Sequence, residues 1–84
     1  MAFNLLWFDE MAASDRPFRL IFFPMDNSIE IVDLKTGKLH LRRIRNFEIQ
    51  KENLFVGNKL LIYGRNYRII EFADEATKKQ NITV

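Results

Sequence analysis

The residues from Asn53 to Phe72 read NLFVGNKLLIYGRNYRIIEF and leave few choices of fold. Two apolar runs, Lys59–Tyr63 and Tyr67–Phe72, flank Gly64-Arg65-Asn66, and a shorter run, Leu54–Val56, ends at Gly57. β-branched and aromatic residues bounded by Gly and Asn write strands and tight turns. The stretch predicts a β-hairpin with a short strand leading into it.

The rest of the chain repeats the pattern. Phe3–Phe8 reads as a strand ending at Asp9-Glu10, Met11 to Pro17 as a polar loop, and Phe18–Phe23 as a second strand. Pro24-Met25-Asp26-Asn27 has turn chemistry, and Ser28–Leu34 then alternates, with Ile29 and Ile31 on one face. Lys35-Thr36-Gly37-Lys38 is a hairpin turn in which Gly37 supplies a positive φ. In Leu39–Arg45 the apolar face switches at Arg43-Ile44, which predicts a β-bulge or the end of regular pairing. Asn46–Glu52 is a connector anchored by Phe47 and Ile49. Asp74 is placed to cap a short helix from Glu75 through Gln80, which needs packing to stand. The fold class that follows is all-β, mainly antiparallel. It is a PH-like small barrel or sandwich of six or seven strands with at most one short C-terminal helix.

Composition sets the limits. Eighty-four residues make one domain at most, and an apolar fraction of 48% with eight Phe suffices for a core. There is no Cys, hence no disulfide framework and no thiolate metal site. Thirteen basic residues face eleven acidic ones, so the net charge of +2 is no nucleic-acid footprint. No apolar run approaches the roughly 20 residues of a membrane span, and the start of the chain lacks the basic segment of a signal peptide. It reads as a cytosolic start.

Four strands are apolar on both faces. If Phe3, Leu5, Trp7, Phe22, Leu60, Ile62, Tyr67 and Ile69 fill the interior, a second set is left over: Leu6, Phe8, Ile21, Phe23, Leu61, Tyr63, Ile70 and Phe72. A sheet with one wet face does not look like this. A helix, a second layer or another molecule has to cover the surplus, and a homodimer is one such cover.

Catalytic chemistry is poorly represented. His40 is the single imidazole and reads as a surface residue, while Asp9/Glu10 and Asp74/Glu75 read as solvated carboxylates. Nothing calls for a metal or a cofactor, and Gly57-Asn58-Lys59 is not a phosphate-binding loop. One basic cluster stands out: Lys35, Lys38, His40, Arg42, Arg43, Arg45 and Lys51. It suits an acidic protein surface or a phosphoinositide headgroup, or it is a solvated edge that discourages aggregation. The strand carrying it lacks the interleaved aromatics that RNA would need.

Taken in order, certain residues resemble a known family. Trp7 and Asp9, Arg19, Phe22 and Phe23, then Asp26, Ser28, Glu30 and Asp33 form the front half. Arg42 and Arg43, Leu54-Phe55-Val56-Gly57-Asn58, Tyr63-Gly64-Arg65, and Ile69 to Asp74 with Thr77 complete it. The run resembles the DM-ten domain, found at the N-terminus of a ciliary nucleoside diphosphate kinase and in tandem in EF-hand-bearing axonemal proteins. The chain departs from that pattern at Lys78, where Arg is common.

The resemblance implies a non-catalytic docking module of a cilium- or flagellum-associated microtubule protein, located in the cytoplasm, cytoskeleton and axoneme. Its partners would be tubulin or axonemal proteins, and a following kinase domain in the same chain. Residues 1–77 would be the domain, and 78–84 a linker with Ile82-Thr83-Val84 opening the next domain. Trp7, Gly57, Gly64, Arg65 and Asp74 are matched positions with structural roles, Arg65 and Asp74 pairing or binding backbone groups. Arg42, Arg43 and Arg45, with Lys35 and Lys38, are the candidate partner-binding residues. The alternative is a PH-like module for phosphoinositide or peptide without a ciliary role, resting on Lys35 and Lys38 at the hairpin tip.

Overall fold

Six strands form where the sequence alternates or runs apolar: β1 (Ala2–Asp9), β2 (Ser14–Phe23), β3 (Ser28–Asp33), β4 (Leu39–Arg45), β5 (Lys59–Ile62) and β6 (Arg65–Phe72). They belong to a computed structural model that describes residues 1–45 and 48–82, the last four by backbone alone. The strands make one antiparallel sheet in the order β4-β3-β2-β1-β6-β5, curled into a half-barrel. The first strand pairs with the last, Leu5 facing Ile69, so the free edges are β4 and β5. The class is all-β, with one short helix.

Curling closes the concave face on itself. Phe3 lies opposite Leu20 and Leu5 opposite Phe18, and all four are fully buried, as are Ile31 and Ile69. Each such side chain contributes about 1.5–3 kcal/mol by leaving water. Of the expected interior set only Trp7 is less than fully enclosed, being half-buried against the core. The expected anchor Ile49 is 3% exposed and seals one end with Leu54, whereas Phe47 lies outside the described residues.

Several local expectations change. The loop Met11–Pro17 shrinks, because β2 begins at Ser14 and pairs from Asp9↔Ser14 through Leu6↔Pro17. Backbone pairing with β1 carries this polar segment, whatever its composition. Leu54–Val56 is not a strand. Leu54 is buried but Phe55 and Val56 are exposed, and the segment turns so that the Gly57 N–H donates to Ile69 O at 2.7 Å. The last hairpin is tighter than its Gly64-Arg65-Asn66 spacing suggests. Its turn is Tyr63-Gly64, both at positive φ (47° and 77°), as a twist-matched two-residue hairpin requires.

Irregularities decide which face some residues take. Across Ile29↔Ile44 and Ile31↔Leu41, β4 carries an extra residue, the bulge expected near Arg43-Ile44. In the β1–β6 pairing a slip between Asn4↔Glu71 and Leu5↔Ile69 leaves Ile70 unpaired. Phe72 therefore rejoins the core face, its ring 6.0 Å from that of Phe3, and leaves the surplus set.

The helix α1 (Glu75–Ile82) follows β6. Asp74 Oδ1 accepts the Thr77 N–H at 2.7 Å, a cap that holds the Asp74 carboxyl below its ordinary value. Thr77 Oγ1 in turn accepts the Ala2 N–H at 2.7 Å and ties the helix to β1. Ile82 is helical, and Thr83 and Val84 lie outside the described residues. Among the described residues no helix is long and apolar enough to cross a membrane.

Candidate functional site

Charge is segregated along the chain, and the fold turns that into a surface. From Leu34 to Arg45 and from Asn53 to Ile70 there is no Asp or Glu. Lys35, Lys38, Arg42, Arg43 and Arg45 lie in the first stretch, and Lys59, Arg65 and Arg68 in the second. These stretches hold the two edge strands and the start of β6. Both free edges of the half-barrel are therefore basic.

Near the Tyr63-Gly64 turn, side chains of β4 and β6 approach each other. A groove of about 290 Å³ runs between β4 and the β5–β6 hairpin, with Ile31, Leu41 and Ile62 beside His40, Tyr63, Arg65 and Tyr67. The His40 ring packs on Phe18, with centroids 4.6 Å apart, and its Nε2 lies 3.3 Å from the Tyr67 hydroxyl. Tyr67 meets Phe18 edge-on at 5.6 Å. Arg65 stacks on Trp7 at 4.3 Å and brings Nη1 to 3.4 Å from His40 Nε2. The half-buried Trp7 ring thus carries a cation–π contact on one face.

The electrostatics of this mouth are uneven. Burial, then Arg65 and Arg16, push the His40 imidazole below its ordinary 6.5, against the pull of Asp33. The unprotonated ring can accept from Arg65. Arg16 is neutralised, 3.2 Å from Asp33 and 3.9 Å from Asp9. Burial would raise the Asp33 carboxyl, but the N–H groups of Lys35 and Thr36, together with Arg16 and His40, hold it below 3.8. Burial raises the Tyr67 phenol, which stays protonated. Among the described residues Arg65 pairs with no carboxylate.

The sequence-based candidates are not equivalent. Arg43 is engaged internally: Nε donates to Ser28 Oγ at 2.8 Å, Nη2 pairs with Asp26 at 3.3 Å, and the guanidinium lies 3.6 Å over Phe23. The Ser28 hydroxyl, then Arg43, draw the Asp26 carboxyl below its ordinary value. Arg42 and Arg45 are exposed and pair with no carboxylate among the described residues, and Lys35 and Lys38 are exposed in the turn. Arg65 and Asp74 do not pair, since they lie at and just beyond opposite ends of β6; each finds its own contact. Gly57 and Gly64 hold positive φ, as turn glycines. Arg16 and Tyr67 belong to the mouth without any sequence motif to mark them: Arg16 lies in a polar segment of loop composition, and Tyr67 has the period of a core residue. The acid-free stretches were a legible signal. No group of three or more metal-binding side chains occurs among the described residues.

No family model matches the chain. Nucleoside diphosphate kinase homolog 7 of Mus musculus is 34% identical over 79 residues, 94% of this chain and 20% of the relative. The protein of the same name from Rattus norvegicus is 33% identical over the same share of both chains. The chain thus spans about one fifth of the length of these curated relatives.

Proposed function

We propose that this chain, homologous to the N-terminal region of nucleoside diphosphate kinase homolog 7 and consistent with a DM-ten-like domain, is a non-catalytic docking module. Its context would be a microtubule-associated protein of cilia or flagella, and any phosphoryl transfer would belong to residues beyond this domain. The observation that carries the docking reading is the placement of eight cations on the two free edge strands, the turn before β4 and the strand β6 beside β5, with no carboxylate in either stretch. Such a surface suits an acidic protein such as tubulin. Arg42 and Arg45, which pair with no carboxylate among the described residues, are the arginines of β4 that would serve it, since Arg43 is held by Asp26 and Phe23.

Tagged full-length protein, with and without residues 1–84, tests this reading in flagellated cells. Axonemal signal that disappears on deletion is the expected result. Signal that survives deletion would overturn docking. No signal in either case would favour a phosphoinositide or peptide role outside the axoneme.

A further inference from the structure

We propose that the seam between β4 and β5 takes an extended acidic segment of a partner protein, which adds to the sheet along the free edge of β5. This deepens the docking reading by naming the occupant and its mode of binding.

The two edges differ in fitness for a new strand. β4 carries two register slips, at Ile29/Ile31 and at Ile31/Val32, which break the even spacing of backbone groups that a partner strand needs. β5 pairs with β6 without a slip, from Lys59↔Arg68 to Ile62↔Arg65. Its alternate residues Leu60 and Ile62 are buried while Leu61 remains 57% exposed. A regular edge whose end opens on a groove with both apolar and polar walls is what an added strand uses: main-chain hydrogen bonds hold it, and alternate side chains enter the groove.

Charge chooses the occupant. A second copy pairing β5 against β5 would bring two copies of the same acid-free stretch together, Lys59 on each edge strand with Arg65 and Arg68 on β6 behind it, and this like-charge crowding disfavours the pairing. An acidic strand meets the opposite situation. Arg65 is already oriented by Trp7, and among the described residues its guanidinium pairs with no carboxylate; Arg42, exposed on β4, pairs with none there either. Holding Arg65 on an aromatic face reduces the ordering cost of binding.

The test uses the 84-residue chain and a fluorescein-labelled ten-residue peptide of alternating Glu and Val. Two further peptides carry N-methyl groups on one or the other alternate set of amides, and a fourth replaces Glu by Lys. Fluorescence anisotropy should show saturable binding of the Glu/Val peptide that weakens as salt rises. One N-methylated peptide should lose at least tenfold in affinity while the other binds as the parent does, and the Lys peptide should not bind. Arg65→Glu should also lose at least tenfold, and backbone amide shifts on titration should cluster at Lys59–Gly64. Equal binding by both N-methylated peptides, or shifts confined to Leu6 and Phe8, would overturn the strand-addition model. Failure here with axonemal placement still dependent on residues 1–84 would leave the docking module and remove only this occupant.

Discussion

On the concave face of the sheet Phe3, Phe18 and Ile69 are fully buried, while on the convex face Phe8 and Leu61 keep 54% and 57% of their surface. The side chains are of the same kind and sit on the same strands or their neighbours. Curvature separates them. A sheet that curls brings its inner side chains from distant strands into contact and spreads its outer ones apart. Among the described residues neither a helix nor a second sheet lies over Phe8 or Leu61, and Phe23 is roofed by Arg43 alone of the charged residues. Hydrophobicity nominated both faces for burial, and tertiary shape chose one.

This contrast can be broken first at its strong side. Phe18→Ala removes the ring that both His40 and Tyr67 pack against, and should cost about 3–5 kcal/mol in chemical denaturation. A loss below about 1 kcal/mol would mean that the concave face is not the core.

A smaller effect separates two neighbouring arginines. Arg43→Ala removes the ties to Ser28 and Asp26 and the cover over Phe23, and should cost on the order of 1 kcal/mol. Arg42→Ala should stay within about 0.5 kcal/mol while weakening partner binding. Equal stability losses from the two would erase the distinction between them.

pH sharpens the picture further. The folded pKa of His40 lies below its unfolded value, so its contribution is complete above about pH 6.5 and is lost as pH falls through the folded value. Asp26, Asp33 and Asp74 are also depressed, so their contribution is present above about pH 4 and lost as pH falls through their folded values. Thermal midpoints should therefore decline in two stages on acidification. His40→Gln should delete the upper stage and keep the lower one. The smallest effect belongs to the convex face, where Phe8→Ser and Leu61→Ser should each change stability by less than about 0.5 kcal/mol.

Much of the architecture was legible from residues acting locally. Leu39–Arg45 formed as read, Asp74 capped the helix through Thr77, and Gly37 took the positive φ its hairpin needs. Strand period, turn chemistry and capping act within a few residues, so the chain carries them openly. Strand pairing is different. That β1 lies against β6 joins residues more than sixty apart, and no local pattern around Leu5 or Ile69 announces it.

The surface followed the same division. Two acid-free stretches were visible in the sequence, but their meeting at one seam required the sheet order to place β4 and β5 at its free edges. Arg43 read like Arg42 until folding brought Asp26, Ser28 and Phe23 to it. Phe72 read as a surplus hydrophobe until the slip at Ile70 turned it toward Phe3. The sequence by itself determined the cores of the six strands, most of their turns and the sign of charge on each, though not the extent of β2 or the turn at Leu54–Val56. Only the tertiary structure decided which apolar face closed, which arginine stayed free and where the basic stretches met. Those outcomes depend on register and curvature, which are set by contacts between residues far apart in the chain.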